Sequence, residues 1–237
     1  MKFAIPASYY TDAFAFMSDE QTRYYLNGLS LEPSGHVAAT DGHILFAAAI
    51  PADRRHKLPA DAVIIPRDKK LAAACKSKGR EIATRFLVVD RPDPESMRVT
   101  LRVVYAPEPA DACHTDASVL FTLETSLVDG TFPDWRRIIP TPDTAGHAHP
   151  AFDASLVAKL GTAAAEKQMV RIVPSVDETT PCYVDLGRDD AFAVIMPCRM
   201  RPMEKDDAKR EFAAAPCVPS WATLQPVTKE LAAQAAD

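Results

Sequence analysis

The feature that most constrains the fold of this chain is an internal repeat, because one pattern of secondary structure occurs three times. In each copy a short apolar strand leads into an Ala-rich helix of about 12 residues, and three further strands follow. The copies begin at "KFAIP" (residues 2–6), "AVIIP" (62–66) and "HPAFD" (149–153). The sequence therefore predicts three β-α-β-β-β units.

The strands of the second unit give the clearest pattern. Met97, Val99, Leu101 and Val103 alternate with polar residues, which is typical of a strand with one buried face. Repeated units of this kind predict an α+β fold in which helices pack on one face of antiparallel sheets.

Composition limits the class of protein. The chain has 237 residues, of which 47% are hydrophobic and 25% charged, so it can bury one or two ordinary cores. Its apolar runs are shorter than the roughly 20 residues that span a bilayer, and its first residues do not resemble a signal peptide. We therefore expect a cytoplasmic protein without a membrane partner.

The five cysteines are scattered and form no C-x-x-C pair, so reduced thiols are expected. "CHTD" at residues 113–116 and "GHAHP" at 146–150 lack the spacing of metal ligands. A Gly-rich phosphate loop, paired carboxylates and a Ser/His/Asp grouping are also missing from the sequence. We expect no metal, no cofactor and no enzymatic activity.

Two further segments stand out. "DGTFPDWRRIIP" (129–140) combines prolines and arginines that suit a strand poorly, so it is interpreted as an exit from a domain that borders a binding site. "RDKKLAAACKSKGR" (67–80) holds six bases against one acid. This cluster is either a solvated helix face or a phosphate-binding surface.

Proline, glycine and threonine in "TPDTAGHAHP" (141–150) indicate a boundary. The expected organisation is a domain of two units at 1–140, a half domain at 141–200, and a mobile C-terminal tail at 201–237.

Five motifs together resemble the bacterial β sliding clamp of DNA polymerase III, and they occur in the order found in that family. They are "TRYYLNG" (22–28), "ATDGHIL" (39–45), "VIIPR" (63–67), "LVDGTFPDWRRIIP" (127–140) and "AVIMPCRM" (193–200). The resemblance spans roughly residues 1–200 and implies a DNA-clamp fold. Residues 1–140 are similar to the whole middle domain of a clamp, and residues 141–200 to the second half of its last domain.

The resemblance implies a processivity factor that encircles duplex DNA without sequence preference and tethers DNA polymerase and other proteins carrying clamp-binding peptides. It also implies a clamp loader as partner and a homo-oligomer. An alternative is a clamp-derived adaptor or competitor that binds such peptides and does not encircle DNA. We further expect the odd third unit to lack a partner in its own chain and to associate with the third unit of another copy.

Carried over residue by residue, the resemblance predicts a hydrophobic peptide pocket and a DNA-binding surface. The predicted pocket consists of Leu26, Thr40, Gly42, His43, Leu45, Pro133, Arg137, Ile138, Val194, Met196, Pro197, Arg199 and Met200. The predicted DNA contacts are Gln21, Arg23, Tyr24, Lys69, Lys70, Lys76, Lys78, Lys159 and Lys167. Ile44 and Cys198 stand where the family usually has a basic residue and Met, so we expect an altered peptide preference.

Overall fold

Each of the three units forms a short helix and a group of antiparallel strands in the computed structural model. The structure describes residues 1–76, 85–93, 95–114, 117–140, 150–165, 169–175, 177 and 179–198. The first unit contains β1 (Lys2–Pro6), α1 (Ser8–Phe14), β2 (Gly28–Leu31), β3 (His36–Thr40) and β4 (Ile44–Ala49). The second contains β5 (Val63–Pro66), α2 (Lys69–Cys75), β6 (Arg85–Asp90), β7 (Arg98–Tyr105) and β8 (Ser118–Ser126). The third contains α3 (Ala154–Ala163), β9 (Arg171–Val173), β10 (Cys182–Asp185) and β11 (Ala191–Ile195).

The strands form two antiparallel sheets, and the first two units exchange their first strands. The four-stranded sheet has the order β1-β6-β7-β8, and the seven-stranded sheet has the order β5-β2-β3-β4-β11-β10-β9. Strand β1 thus lies in the sheet of the second unit, and β5 lies in the sheet of the first. The predicted α+β class is confirmed, whereas the exchange was not predicted, because periodicity identifies strands but not their neighbours.

The main core lies between the sheets and the helices. Val99, Leu101 and Val103 of β7 all belong to this core, as their alternation predicts. Helix α1 supplies Tyr9, Tyr10 and Ala13, which are all buried. Because α2 and α3 both pack against α1, α1 is the central helix of the three.

The helices are shorter than the sequence predicted. Helix α2 begins where the Asp68 carboxylate accepts the Leu71 backbone N–H at 2.7 Å, and Asp153 caps α3 in the same way through the Ser155 N–H. The motif "TRYYLNG" (22–28) contains the 3-10 helix Tyr24–Leu26. Strand β2 starts at Gly28, where a Cβ atom would lie 2.3 Å from the Ile65 carbonyl oxygen of β5.

The third unit joins the first through their last strands. Strands β4 and β11 pair antiparallel from Ile44 opposite Ile195 to Ala48 opposite Ala191. The expectation that the third unit lacks a partner in its own chain is therefore wrong. Regular strands pair through backbone groups that sequence patterns do not distinguish, so the choice of partner strand was not visible in the sequence.

Two adjacent tyrosines of α1 connect the helix to both neighbouring units. The Tyr10 hydroxyl donates to the Pro66 carbonyl oxygen at 2.6 Å and accepts the Asp68 N–H at 2.8 Å. The Tyr9 hydroxyl donates to Asp190 Oδ2 at 2.6 Å, in the loop before β11. Successive residues of α1 therefore contact the second and the third unit.

Arg188 strengthens the connection between α1 and the third unit. Its guanidinium donates to Asp12 Oδ2 at 2.5 Å and to both oxygens of Asp190 at 2.9 and 3.0 Å. It also donates to the Ala163 carbonyl oxygen at the end of α3. Burial raises the pKa of Asp12, and Arg188 opposes that rise.

Glu32, which follows β2, holds the exit segment against the seven-stranded sheet. Its carboxylate accepts the Trp135 indole N–H at 3.0 Å and two bonds from the Arg136 guanidinium at 2.9 and 2.7 Å. The Arg136 guanidinium also lies 4.2 Å from the centre of the Trp135 ring. The hydrogen bond from Arg136 is the main cause that lowers the pKa of Glu32 to about 2.

The described residues belong to one compact unit, Met1–Arg199. The boundary expected at residue 140 stays a prediction. The linker residues 141–149 and the tail 201–237 lie outside the described residues. No helix in the described part of the chain has the length and apolar character needed to cross a membrane.

We predict that Glu32→Gln destabilises the protein by about 1–2 kcal/mol at neutral pH, because it weakens the charged hydrogen bonds to Arg136 and Trp135. The folded-state pKa of Glu32 lies below its ordinary value of 4.5. The contribution of Glu32 to the free energy of unfolding is therefore fully present above pH 4.5 and is lost as the pH falls toward 2. Urea unfolding of the wild type and the variant at several pH values measures the difference, and the matched change Glu108→Gln serves as control. If the difference in unfolding free energy between the wild type and Glu32→Gln did not decrease at low pH, the role assigned to the Glu32 carboxylate would be wrong.

We also predict that Arg188→Gln destabilises the protein by about 3 kcal/mol, because it leaves the carboxylates of Asp12 and Asp190 partly buried without their cation. Chemical denaturation measures the change. Arg137→Gln is the control, since the Arg137 side chain is 84% exposed. Equal effects of the two substitutions would show that Arg188 does not hold the third unit to α1.

Candidate peptide-binding and DNA-binding surfaces

The pairing of β4 with β11 brings together the two segments that were predicted to form the peptide pocket. Leu45 of β4 lies directly opposite Val194 of β11. Beyond the strand, the Met196 backbone N–H donates to the His43 carbonyl oxygen at 2.9 Å. Residues separated by about 150 positions in the sequence thus line one surface.

A small apolar cluster forms on this surface, separate from the main core. Its buried members are Ala38, Leu45, Ala47, Trp135 and Val194. Phe132, Ile139 and Phe192 pack at its margin. Because side chains alternate along β4, Leu45 and Ala47 lie in this cluster, whereas Ile44 and Phe46 belong to the main core. The cluster is therefore on the face of the sheet opposite the helices.

Trp135 covers the middle of this cluster. It is 7% exposed, and its ring centre lies 6.1 Å from that of Phe192. Phe192 was not predicted as a site residue. It lies two residues before Val194, so the period-two alternation of the strand could have placed it on the same face.

The turn between β3 and β4 is fixed by its own side chains. The Asp41 carboxylate accepts the backbone N–H groups of His43 and Ile44 at 2.9 and 3.1 Å. Thr40 Oγ1 donates to the Ile44 carbonyl oxygen at 2.8 Å and accepts the Gly42 N–H. Gly42 has φ +94°, a conformation that favours glycine. These contacts leave His43 exposed beside Met196.

Lys159 of α3 also contacts this turn. Its ammonium group lies 2.5 Å from Asp41 Oδ2. Burial raises the pKa of Asp41, but the hydrogen bonds from Lys159 and from the backbone of the turn outweigh it and lower the pKa. Lys159, predicted as a DNA contact, is thus engaged with Asp41.

The remaining predicted pocket residues form a partly exposed margin, except Leu26. Pro133, Arg137 and Ile138 lie exposed on the exit segment. In this segment the 3-10 helix Trp135–Ile138 is followed by Ile139 and Pro140. Met196 and Pro197 are half-buried. Leu26 is buried in the 3-10 helix Tyr24–Leu26 and is not a member of the apolar cluster. Arg199 and Met200 lie outside the described residues.

Cys198 and Ile44, the two departures from the family pattern, have different surroundings. Cys198 is exposed, and its N–H donates to the Ala151 carbonyl oxygen at 2.7 Å. Ile44 is 2% exposed in the main core. The change at Ile44 therefore acts on core packing, and Cys198 is the departure that lies on the surface.

The predicted DNA contacts lie in two places. Gln21 and Tyr24 are exposed in the loop before β2, where Arg23 pairs with Glu20 at 2.9 Å. The Arg23 guanidinium also lies against Gly42, since a Cβ atom at Gly42 would be 2.3 Å from Arg23 Nη1. This loop therefore lies beside the β3–β4 turn.

The other predicted contacts lie on the helices. Lys69, Lys70 and Lys76 are exposed at the two ends of α2. Lys78 and Lys167 fall outside the described residues. A groove of about 990 Å³ runs along the helices α1, α2 and α3, and Lys76, Arg54, Arg188 and Asp12 are among the residues that line it.

Metal ligands do not come together in the part of the chain that the structure describes. No group of three or more His, Cys, Asp or Glu side chains there has the geometry to hold a metal ion.

Comparison with known proteins gives consistent matches. The chain is 33% identical to the Beta sliding clamp of Salmonella typhimurium and 33% identical to that of Escherichia coli, in each case over 131 residues. Each alignment covers 54% of this chain and only 30% of the relative. The chain thus spans less than a third of the length of the curated relatives it matches. No protein-family model matches the chain.

Solved structures match over more of the chain. The DnaN sliding clamp (DNA polymerase III subunit beta) from Pseudomonas aeruginosa bound to griselimycin superimposes with a TM-score of 0.55 at 22% identity, covering 84% of this chain and 66% of that chain. The corresponding clamp from Bartonella birtlesii gives a TM-score of 0.55 at 19% identity, with the same coverage. At this identity the structural matches establish the fold. The chain is similar in sequence to bacterial β sliding clamps over about half of its length and has their DNA-clamp fold.

Proposed function

We propose that this protein is a clamp-like processivity factor of a DNA polymerase, which binds client peptides on the surface around Leu45 and Val194 and encircles duplex DNA as an oligomer. The observation that carries the proposal is the direct pairing of Leu45 with Val194 under the exit segment. The curated relatives are matched over only 30% of their length. The activity of a whole clamp is therefore part of this proposal. The division into 1–140 and 141–200, and a cytoplasmic location, belong to the same proposal.

The chemistry of the surface fits a short peptide with apolar anchors. Leu45 and Val194 provide a buried floor, while Ile138 is 41% exposed and Met196 is half-buried. Leu and Phe side chains of a peptide gain most where they displace water from such apolar groups, and the flexible Met side chain adapts to different clients. The Arg137 side chain is 84% exposed, with its Nε 3.5 Å from Asp134 Oδ2, and its guanidinium can orient acidic or carbonyl groups of the peptide.

DNA contact is assigned foremost to Lys69, Lys70 and Lys76 of α2. They are exposed and lie on the helix side of the sheets, opposite the apolar cluster. Lysines bind the phosphate backbone without reading sequence, which a ring that slides on DNA requires. The net charge of -5 does not oppose this, because the segment 67–80, which contains α2, holds six bases against one acid.

A peptide-binding adaptor that does not encircle DNA is the second candidate. It is favoured by the fact that both walls of the predicted pocket meet within one chain, so peptide binding does not require a ring. Retention on circular DNA separates the candidates, because a closed ring stays on a circle and slides off after linearisation. If the protein were lost equally from circular and linearised DNA, the adaptor would be the remaining function.

For the pocket, we predict that Met196→Ala weakens binding of a Gln-Leu-x-Leu-Phe type peptide by at least about 1 kcal/mol, or roughly fivefold, because an anchor loses an apolar contact. Isothermal titration with the purified protein measures the change. Met169→Ala is the matched control, since Met169 is 67% exposed next to β9. The pocket assignment fails if both variants bind the peptide as the wild type does.

For DNA, we predict that replacing Lys69, Lys70 and Lys76 together by Ala lowers the slope of log affinity against log salt by up to about 2.7, because each phosphate contact contributes about 0.9. Fluorescence anisotropy with duplexes of two unrelated sequences gives the slopes, and both should change equally. Lys57→Ala, on the segment that pairs with β1, is the single-lysine control. An unchanged slope for the triple variant would remove α2 from the DNA-binding surface.

A further inference from the structure

The turn between β3 and β4 carries residues of the predicted peptide pocket, and a lysine from another unit of the fold contacts it. Gly42 and His43 lie in this turn. The ammonium group of Lys159, in helix α3 of the third unit, lies 2.5 Å from Asp41 Oδ2. The two residues are 118 positions apart in the sequence. The first unit therefore receives from the third unit a contact that helps to hold its turn.

The two oxygens of the Asp41 carboxylate have different partners. Oδ1 accepts the backbone N–H groups of His43 and Ile44 at 2.9 and 3.1 Å, whereas Oδ2 accepts a hydrogen bond from the Lys159 ammonium group. One carboxylate thus joins the backbone of the turn to α3. The Asp41 and Lys159 side chains are only 16% and 30% exposed, so water screens this pair less than it screens a pair on the open surface.

The same turn reaches the second wall of the predicted pocket. The regular pairing of β4 with β11 ends where Ile44 lies opposite Ile195. One step further, the His43 carbonyl oxygen accepts the Met196 N–H at 2.9 Å. A displacement of the turn would stretch this hydrogen bond. The position of Met196 relative to His43 therefore depends on how the turn is held.

Arg23 is a second cation beside this turn, but it has another partner. A Cβ atom at Gly42 would lie 2.3 Å from Arg23 Nη1. The Arg23 guanidinium is paired with Glu20 at 2.9 Å, and the two side chains are 35% and 50% exposed. Among the described residues, Lys159 is the cation that pairs with Asp41.

We propose that Lys159 is a positioning residue for the peptide surface. It holds Asp41, and through Asp41 it keeps the turn in the place where its backbone meets Met196. Lys159 has this role only if the surface binds peptides as proposed above. Contact with a DNA phosphate would require the ammonium group to leave Asp41. Lys159 therefore belongs with the peptide surface and not with the lysines of α2.

The test is calorimetric titration of the full chain with a Gln-Leu-x-Leu-Phe type peptide that is capped at both ends and carries no charge. Lys159→Gln should weaken peptide binding by roughly threefold to tenfold. Lys159→Arg keeps a cation at this position and should restore most of the affinity. Lys57→Gln is the matched control, because Lys57 is exposed beside the segment that pairs with β1, and it should bind the peptide as the wild type does.

A double-mutant cycle separates action through Asp41 from a general loss of structure. Asp41→Asn keeps an oxygen for the N–H groups of the turn but removes the charge that pairs with Lys159. Adding Lys159→Gln to Asp41→Asn should then weaken peptide binding no further. Additive losses would overturn the proposal. So would an unchanged affinity in Lys159→Gln, or a Lys159→Arg variant as weak as Lys159→Gln.

Hydrogen exchange gives a second measurement that does not use the peptide. The Met196 amide should exchange faster in Lys159→Gln than in Lys57→Gln, while the amides of β7 in the other sheet should not change. Equal protection of Met196 in the two variants would contradict the proposal. A wild type that does not bind the peptide would remove both the pocket and this role of Lys159. A wild type that binds it, together with a Lys159→Gln variant of equal affinity, would remove only the role of Lys159.

Discussion

The antiparallel pairing of β4 with β11 is the contact on which the rest of the structure depends. It extends the sheet of the first unit from four strands to seven and gives the third unit a place in the fold. It also joins Leu45 to Val194 and His43 to Met196, so the candidate peptide surface exists only because these strands are neighbours. Backbone hydrogen bonds supply the pairing, and the apolar side chains on both faces exclude water from it.

Polar contacts around this pairing determine the relative position of the three units. Tyr9 and Tyr10 direct α1 toward the third and the second unit, and Arg188 lies between Asp12 and Asp190. Lys159 connects α3 to the turn that carries the predicted pocket residues. Such buried or half-buried pairs add little net stability, but removing one partner is costly, which makes them effective in fixing one arrangement.

The two faces of the sheets have different chemistry. The face away from the helices carries a small apolar cluster under Trp135, held in place by Glu32. The helix side carries the exposed lysines of α2 and the groove along the three helices. Under the proposed function, a peptide and a nucleic acid would therefore contact different side chains on opposite faces of the sheets.

The sequence by itself determined the α+β class and most strand positions, because alternation is a local signal. The residues of the two pocket walls stay a prediction from the family motifs. The sequence could not determine the exchange of β1 and β5, the neighbour of β11, or the engagement of Lys159 with Asp41. Those features depend on which backbone edges and which charges meet after the chain has closed on itself. Long-range pairing is a property of the whole set of surfaces that must be buried together, and only the tertiary structure decided it.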